Sequence, residues 1–578
     1  MNIKKMLAVA RGELAADVVI KNAKVANVFS LEFEKKDVAI YDGYIVGIGT
    51  GYYGKEEVDA KNAVLAPGFI EGHCHIESTM LTPAGFAEMV LPRGTTTVIA
   101  DPHEIANTCG MGGLSFMYEE SLHLPLDIFL TAPSCVPASP FETPREELDA
   151  LAIKRTYEEG WCTTLGEVMN YPAVIHGDAE MWGKIFASWD VVRSGHAPGV
   201  TGKELCAYLL SGCSSDHESS TKEEGLEKLR RGMWLMIRQG ATEHNLEELL
   251  PLIKENEARS SCAMFVSDDL TANHLQTKGH LDETLRLSIK KGLSPLVALR
   301  MVTLSPARYF RLFDRGAVAP GYIADLVLLD SLETCNVINV WKKGKKVVEN
   351  RELLGAPFKR EHNYPQSSEV FHIPTVEDIS IEPSGNKKIR LIGFRRGQVV
   401  TTHLIENPTI TNGKVTADKK RDIAKIVVVD KNSDSRRFFT GFVKGLDLKK
   451  GALASSVAHD AHNFIAAGMD DISIITALRE LRNLGGGLVV ASGDQILASL
   501  PLPVGGLMSD STASDVILAI EDVEKAAETL GTSITHPFMA MSFLSLSVIP
   551  ELKITDQGYV DLNRGGCMSL FVEDEHYN

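Results

Sequence analysis

The sequence predicts an α/β protein built around a (β/α)8 barrel, which is inserted into a small β-sandwich domain and followed by a C-terminal α+β domain. Three observations support this prediction. Two groups of short strand-like runs flank a long stretch of alternating strand and helix patterns, that stretch holds eight apolar strand candidates, and a tail of different character follows. The predicted domains are residues 1–66 with 311–365, residues 67–310, and residues 366–578.

The small β domain is predicted from two separated groups of strands. The first group begins with two short runs, at residues 17–20 and 24–28, and includes an Asp42-Gly43 turn typical of hairpins. This block is too small to be stable alone. A second group, at residues 324–330 and 337–348, can supply the missing partner strands. We therefore expect the barrel to interrupt this domain.

The barrel is predicted from eight strand candidates, each followed by polar residues and most of them by a helical stretch. Eight βα units in about 240 residues match the usual size of this fold. The candidates are residues 69–75, 96–101, 126–132, 161–167, 190–196, 206–214, 233–238 and 262–268.

The tail changes in pattern from about residue 370. It holds strand candidates at residues 388–394, 398–404 and 425–429, and a helix predicted over residues 470–483 that glycines from Gly485 onward would end. This pattern indicates a second large domain of the α+β class.

The stretch from Pro67 to Met80 carries the strongest functional signal. An apolar run is interrupted at Pro67 and then continues. It ends in His73 and His75, which therefore lie at the end of the first barrel strand. Because side chains alternate along a strand, both imidazoles point to one side and Cys74 points to the other. Imidazoles at the C-terminal end of a barrel strand are well placed to hold a metal ion.

Polar residues also follow other predicted strands, and the C-terminal ends of barrel strands meet at one mouth. They are Asp101 to Glu104 after the second strand, Glu167 after the fourth, His196 after the fifth, His217 after the sixth and Asp268 after the eighth. Each is a weak signal alone, but together they form one set of imidazoles and carboxylates.

This ligand set predicts two divalent metal ions. We expect His73, His75 and Asp268 to bind one ion, His196 and His217 to bind the other, and Glu167 to bridge them. Two ions about 3.5 to 4 Å apart can hold a hydroxide that acts as a nucleophile at neutral pH. Mixed imidazole and carboxylate ligands suit manganese, iron or zinc and do not decide among them.

Composition limits the partners and the compartment. A formal net charge of −17 over 578 residues argues against nucleic acid or an anionic membrane as the main partner. Nine cysteines without paired spacing indicate a reducing compartment. The first residues are too briefly apolar for a signal peptide, and no apolar run of about 18 residues is present. The predicted location is the cytoplasm.

Several motifs resemble those of the amidohydrolase superfamily and, within it, of the bacterial adenine deaminases. In the barrel they are Pro-Gly-Phe-Ile-Glu-Gly-His-Cys-His-Ile-Glu-Ser at 67–78, Asp-Pro-His-Glu-Ile-Ala-Asn at 101–107, Gly-Glu-Val-Met-Asn at 166–170, Gly-His-Ala-Pro at 195–198 and residues 214–218. In the tail, residues 455–463 and 500–509 resemble the extra domain of that family. The resemblance covers nearly the whole chain.

The resemblance implies hydrolytic deamination of adenine to hypoxanthine and ammonia in purine salvage, by a hydroxide between two metal ions. Manganese is the favoured metal, with iron or zinc as alternatives. Many superfamily members bridge their metals with a carboxylated lysine at the end of strand four, whereas here Glu167 occupies that place. We also expect a homo-oligomer, either a dimer or a tetramer.

Four carboxylates are candidates for proton transfer. Asp268 is placed to take the proton from attacking water and pass it to the departing amine. Glu104 is the favoured acid for purine N1, because its strand lies beside the His-x-His strand, with Glu77 and Asp101 as alternatives. Glu104 could instead be a carboxylate at a helix N-terminus, and Glu77 could instead orient a ligand histidine.

Two histidines outside the metal set are candidates for substrate binding. His280 follows Gly279 in a loop beyond the last strand, and His459 lies in a dense His-Asp-Ala-His-Asn run of the tail. That run could also be a hydrogen-bonded turn at a helix end. The other histidines outside the ligand set, including His103, are expected to be loop or packing residues.

Two alternative hypotheses for the function of the site remain. One is another binuclear amidohydrolase that cleaves a cyclic amide or acts on a 6-substituted purine, but a lysine bridge would favour the cyclic amides and Glu167 stands in its place. The other is a non-catalytic barrel kept as a scaffold, which should have lost metal ligands that this chain retains.

Overall fold

The computed structural model describes residues 2–241, 244–355, 357–358, 363–365 and 372–572. The chain begins with helix α1 (Ile3–Ala10), whose buried Met6 and Val9 pack on the first strands. The two short strands expected after it form one long strand, with an irregular register between Ile20 and Ala23. The first five strands are β1 (Ala16–Asn27), β2 (Glu32–Tyr41), β3 (Tyr44–Gly49), β4 (Gly54–Asp59) and β5 (Val64–Pro67).

A barrel of parallel strands alternating with helices follows, which confirms the predicted fold class. Its first half contains β6 (Phe69–His75), α2 (Pro83–Val90), β7 (Thr95–Ala100), α3 (His103–Ser121), β8 (Asp127–Ala132), α4 (Ala150–Glu158), β9 (Cys162–Val168), α5 (Tyr171–His176) and α6 (Ala179–Ala187). Its second half contains β10 (Arg193–Gly195), α7 (Gly202–Leu209), β11 (Ser215–Asp216), α8 (Lys222–Arg230), β12 (Trp234–Arg238), α9 (Leu246–Glu255), β13 (Ala263–Val266), β14 (Asp268–Asp269), α10 (Ala272–Thr277), α11 (Leu281–Lys290), α12 (Pro295–Met301) and α13 (Leu304–Tyr309).

The strands close into a ring. Strands β6 to β10 pair in chain order as parallel neighbours, and β11 to β13 form a second parallel group. A bridge between Arg193 and Cys213 joins the two groups on one side. On the other side β14 pairs with β6, which sets Asp268 opposite Cys74 and Asp269 opposite His75. The last strand therefore brings its carboxylates next to the histidines of the first.

The sixth strand candidate is wrong over most of its length. Residues 206–209 belong to helix α7, and the short β11 after them forms the strand. Leu205 and Tyr208 are buried at helical spacing, so this apolar run faces the core from a helix. Gly212, with φ of +75°, lies between helix and strand and adopts a conformation that favours glycine.

Both groups of strands outside the barrel belong to one nine-stranded sheet. The sheet runs in the order β18-β17-β16-β15-β5-β1-β2-β3, with β4 paired to β1. Strand β5 ends at Pro67, two residues before β6 begins, so the chain passes directly from this sheet into the barrel. The exact domain boundaries stay a prediction. The returning strands are β15 (Leu326–Leu329), β16 (Val337–Lys342), β17 (Lys345–Glu349) and β18 (Glu352–Leu353).

The tail is an α+β domain around an eight-stranded sheet in the order β20-β19-β24-β23-β26-β25-β27-β28. Its long helix α14 begins after Asp470, which accepts a hydrogen bond from the Ser473 amide, and ends before Gly485, as the sequence predicted. The elements are β19 (Ile389–Gly393), β20 (Thr402–Glu406), β21 (Thr409–Thr411), β22 (Lys414–Thr416), β23 (Ile423–Val429), β24 (Phe438–Lys444), β25 (Ala452–Ser455), β26 (Phe464–Gly468), α14 (Asp471–Leu484), β27 (Gly487–Ser492), β28 (Gln495–Pro501), α15 (Ala513–Thr529), α16 (Pro537–Ser542), β29 (Lys553–Thr555), β30 (Gly558–Asp561) and β31 (Gly566–Met568).

The tail packs directly against the barrel. Val504, Leu507 and Met508 are buried in the same hydrophobic cluster as the barrel strands and helices. A polar contact also crosses the boundary, since the Thr143 hydroxyl donates to Asp556 at 2.7 Å. Within the described ranges, every helix is too short or too polar to span a membrane.

Candidate metal and active site

The two histidines of β6 point into the barrel mouth together. His73 and His75 are both buried, and their ring centroids lie 4.9 Å apart at right angles. Cys74 between them is also buried, and it lies opposite Asp268 in the pairing of β6 with β14. The alternation along the strand therefore gives the shared direction that the sequence predicted.

Asp268 and Glu167 face these histidines from other strands. Asp268 Oδ1 lies 3.3 Å from His73 Nε2 and 3.1 Å from His75 Nε2. Glu167 Oε1 lies 3.4 Å from His75 Nε2. One imidazole pair and two carboxylate oxygens thus converge on a single point, as a first metal site requires.

The other oxygen of Glu167 faces a second pair of histidines. Glu167 Oε2 lies 2.6 Å from His196 Nδ1 and 3.2 Å from His217 Nε2. Burial alone would raise the pKa of Glu167, but the contacts with His196 and His217 hold it well below its ordinary value. Glu167 is therefore an ionised carboxylate between two histidine pairs, which is the geometry of a bridging ligand.

These residues fit divalent metal ions. His73 Nε2 is buried and has no hydrogen-bond partner within the described part of the chain, although it points at the cluster. A buried imidazole nitrogen of this kind is costly unless something binds it. Four imidazoles and two ionised carboxylates also match the ligand preferences of manganese, iron and zinc.

Asp101 binds the backbone of Glu167, and its contacts do not suit a catalytic acid. Its Oδ2 accepts a hydrogen bond from the Glu167 amide at 2.8 Å, and its backbone oxygen lies 3.0 Å from His75 Nδ1. Burial would raise the pKa of Asp101, but the adjacent His103 lowers it overall. Asp101 is thus an ionised group that orients two candidate metal ligands, Glu167 and His75.

Arg238 and His103 are two residues whose place in the site the sequence analysis missed. Arg238, the last residue of β12, donates from Nη1 to Asp268 Oδ2 at 2.7 Å. His103 Nδ1 lies 3.7 Å from Asp101 and 3.8 Å from Glu167, although the sequence suggested only a loop or packing role. Arg238 ends a strand, and His103 lies within the Asp-Pro-His-Glu run that follows the second barrel strand, which were the signals available.

Glu104 and Glu77 are both buried at the mouth. Burial, reinforced by the negative charges of Glu77 and Asp269, raises the pKa of Glu104 to about 8. Burial likewise raises the pKa of Glu77, whose Oε1 accepts a hydrogen bond from the Ile105 amide at 3.3 Å. Ser78 contacts Glu104 Oε1 at 3.3 Å and also Asp269, so the acid lies close to the strand end that carries Asp268.

The two histidines predicted to bind substrate lie in different places. His280 is fully buried against Thr95 and Glu71, with its Nδ1 2.7 Å from the Thr95 hydroxyl and its Nε2 3.2 Å from Glu71. His280 lies in the short loop between α10 and α11, as the sequence predicted, and these contacts bury it against β6 and the first residue of β7. Its role in substrate binding stays a prediction. His459, by contrast, comes from the tail to within 3.7 Å of Glu104.

A cleft lies between the barrel mouth and the tail. It has a volume of about 830 Å³ and is lined by Arg238 and Glu218 from the barrel and by Phe543 from the tail, among others. Because Arg238 also contacts Asp268, this cleft lies beside the candidate metal ligands. The tail therefore forms one wall of the approach to the site.

A parallel barrel that holds four histidines, a glutamate between them and an aspartate at its strand ends defines a metal-dependent hydrolase of the amidohydrolase class. In agreement, residues 64–347 match the amidohydrolase family, and residues 398–565 match the adenine deaminase C-terminal domain. The chain belongs to the adenine deaminase family.

The relatives cover the whole length of the chain. An adenine deaminase of Oleidesulfovibrio alaskensis is 43% identical over 572 residues, covering 98% of each protein. An adenine deaminase of Kosmotoga olearia is 40% identical over 583 residues, covering 100% of each. Among solved structures, a β-aspartyl dipeptidase of Fervidobacterium islandicum covers 60% of this chain and 100% of its own, at 18% identity and a TM-score of 0.45, too distant to add to the assignment.

Proposed function

We propose that this protein hydrolyses adenine to hypoxanthine and ammonia. The main support is that an ionised Asp268 and a protonated Glu104 lie at the same barrel mouth. Beside them, Glu167 faces two pairs of histidines. Loss of an amine from a purine needs a base for the attacking water and an acid for the ring nitrogen. The full-length relatives named adenine deaminase support the same substrate.

We propose that two divalent ions bind here, one at His73, His75 and Asp268 and one at His196 and His217, with Glu167 shared. Such ions supply one piece of chemistry, which is to lower the pKa of a water molecule towards neutrality. Manganese is the favoured ion, with iron or zinc as alternatives that the ligand set does not separate.

The residues around the ions then move protons. Arg238 binds Asp268 Oδ2 and leaves Oδ1 facing the two histidines, where the carboxylate can take a proton from water and deliver it to the departing amine. Glu104 is the proposed acid for N1, because its pKa of about 8 keeps it protonated at neutral pH. Asp101 is less suited, since it is ionised and bound to the Glu167 amide.

The alternative substrates gain no support from the site. Strand β9 contains Glu167 and no lysine, so it lacks the residue that would favour a cyclic amide substrate. Purine salvage in the cytoplasm stays our proposal for the setting, consistent with nine unpaired cysteines. A dimer or tetramer stays a prediction.

The decisive experiment measures ammonia release and the ultraviolet change from adenine to hypoxanthine, with protein loaded in turn with manganese, iron or zinc. Glu167→Gln and Asp268→Asn are the test variants, and exposed Glu147→Gln is the matched control. Deamination by the wild type and the control, with collapse in both test variants, supports the proposal. Metal binding without adenine turnover would reject adenine as the substrate and leave the metal site in place.

A further inference from the structure

The tail places two histidines against the proposed acid. The loop between β25 and β26 carries His459 and His462, and both are buried. His462 Nε2 lies 3.8 Å from Glu104 Oε2, and His459 Nδ1 lies 3.7 Å from Glu104 Oε1. A loop of the C-terminal domain thus reaches a residue at the start of barrel helix α3.

The tautomer of His462 is fixed by its own loop. The Ala458 amide donates a hydrogen bond to His462 Nδ1 at 3.2 Å. Because Nδ1 accepts this bond, the ring hydrogen of a neutral imidazole must be on Nε2. Burial lowers the pKa of His462 well below its ordinary value, so the ring is neutral. His462 therefore presents an N–H donor towards Glu104.

This tautomer argues against a third metal ion among Glu104, His459 and His462, although these three groups are close enough to hold one. A metal on His462 Nε2 would require the ring hydrogen on Nδ1. That hydrogen would then face the amide hydrogen of Ala458 at 3.2 Å. The arrangement suits a hydrogen-bond donor and not a metal ligand.

The other oxygen of the Glu104 carboxyl group contacts Ser78. Ser78 Oγ contacts both Glu104 Oε1, at 3.3 Å, and Asp269 Oδ1, which is nearer. Ser78 has a single hydroxyl hydrogen, and a short contact to a carboxylate oxygen uses it. Because Glu104 is protonated, its Oε1 hydroxyl can then donate to the Ser78 oxygen across the contact of 3.3 Å. Donor and acceptor thus face different oxygens of the same carboxyl group.

We propose that His462 is a positioning residue for Glu104, whose Nε2–H bonds to Oε2 in the substrate complex and so keeps the acid's proton on Oε1. The present separation of 3.8 Å is longer than a hydrogen bond, and His462 Nε2 has no hydrogen-bond partner among the described residues. An unpaired buried donor favours closure, and catalytic hydrogen bonds commonly tighten when substrate binds. This inference rests on the proposed role of Glu104 in adenine hydrolysis.

Two substitutions at His462 separate the donor from the rest of the ring. In His462→Asn the amide oxygen can still accept from Ala458, but no donor reaches Glu104. In His462→Gln the amide nitrogen restores a donor near the Nε2 position. His403→Asn is the matched control, since His403 is another histidine of the same domain with a buried side chain, paired with Asp561 at 2.8 Å.

The measurement is the pH profile of kcat and KM for adenine on the full-length, metal-loaded protein. We expect His462→Asn to lower kcat about 10- to 100-fold with little change in KM, and His462→Gln to recover much of the loss. Loss of a donor to the carboxyl should also raise the pKa of Glu104, so the basic limb should move to higher pH. The other ionisable groups facing Glu104 are His75, Glu77, His103, Asp269 and His459.

The outcomes separate this inference from the proposed function. A wild type that leaves adenine intact overturns the proposed function. An active wild type with equal losses in His462→Asn and His462→Gln, or an unmoved basic limb, overturns the positioning role. If His462→Asn does not fold, Ser78→Ala is tested in its place, because this variant removes the hydrogen-bond acceptor on the other side of Glu104. It should give the same fall in kcat at nearly constant KM. An unchanged kcat in Ser78→Ala would overturn the inference.

Discussion

Asp101 Oδ2 accepts the amide hydrogen of Glu167 at 2.8 Å, which connects the end of the second barrel strand to the proposed bridging carboxylate of the fourth. The contact is possible because residue 166 is glycine. A Cβ placed on Gly166 would lie only 2.2 Å from Asp101 Oδ2. The position of Glu167 thus depends on a neighbour that has no side chain.

Gly166→Ala should therefore damage the metal site. The new methyl group must push Asp101 away from the Glu167 amide, so the bridging carboxylate loses its support. We expect about a 10- to 100-fold loss of metal affinity or activity. Metal content after dialysis against a chelator, together with adenine turnover, measures the effect.

Gly112→Ala is the matched control for this prediction. Gly112 lies on α3, where an added Cβ would meet no atom beyond its own helix backbone within 4 Å, and alanine is the better helix former. It should keep its metal and its activity. Equal metal content in the two variants would show that the close approach of Asp101 does not matter.

Arg238→Met should reduce turnover by separating Asp268 from its charge partner. Arg238 Nη1 donates to Asp268 Oδ2 at 2.7 Å, and its Nη2 donates to Glu218 Oε2 at 3.1 Å. Without the guanidinium, Asp268 can rotate away from the histidines. We expect kcat to fall about 10- to 100-fold, as measured by ammonia release from metal-loaded protein.

Two further variants test whether the planar fork of Arg238 matters. Arg238→Lys keeps the charge but cannot bind two carboxylates at once, so it should recover only part of the activity. Arg286→Met breaks a half-buried ion pair with Asp282 on helix α11 and should leave kcat unchanged. Full activity in Arg238→Met would remove Arg238 from the mechanism.

The sequence could predict which residues meet at the barrel mouth because their signals are local. His73 and His75 share a strand face through simple alternation, and Glu167 follows an apolar run at a strand end. The role of Arg238 could not be seen in this way. It depends on a contact with Asp268, 30 residues later, that only the closed barrel creates.

The error in the fold prediction also comes from a local signal. The apolar run at residues 206–209 has no clear period over so short a length, so its pattern does not separate a helix from a strand.

The position of His462 next to Glu104 could not be predicted from local sequence either. The dense polar run at 455–463 indicates a functional loop, but its approach to Glu104 depends on how the tail packs on the barrel.

The pH profile of adenine turnover should fall on its basic side near pH 8. Burial, with the charges of Glu77 and Asp269, raises the pKa of Glu104 to about 8, and an acid acts only in its protonated form. Activity that needs Glu104 is therefore present below this pKa and lost above it. Glu104→Gln should remove this limb and lower kcat by about 10²- to 10⁴-fold.

Glu77→Gln tests the competing acid in the same assay. If Glu104 is the acid, the basic limb should persist in Glu77→Gln, although the loss of a nearby negative charge should lower the pKa of Glu104 and move the limb to lower pH. A limb that disappears in Glu77→Gln and persists in Glu104→Gln would exchange the two roles.

Lys228→Met should destabilise the loops that carry His196 and His217. Lys228 is fully buried and its Nζ donates to Asp216 at 2.9 Å and to Glu224 at 2.7 Å. Asp216 in turn accepts from the amide that follows His196, at 2.9 Å. Removing the lysine leaves a buried charge uncompensated, which costs about 3 to 5 kcal/mol of folding free energy. Denaturant unfolding measures the cost, and exposed Lys154→Met should stay within about 0.5 kcal/mol.

The pH dependence of this variant gives a second, independent readout. In the native protein burial raises the pKa of Asp216, but Lys228 lowers it overall to about 2, so the pair contributes stability above the unfolded pKa and loses it as the pH falls through the folded one. In Lys228→Met, burial without the lysine should raise the pKa of Asp216 above its unfolded value. The sign then reverses, and the variant should become more stable relative to wild type as the pH falls from 7 towards the unfolded pKa of about 4. A gap in stability that stays constant over this range would mean that Asp216 is not held ionised by Lys228.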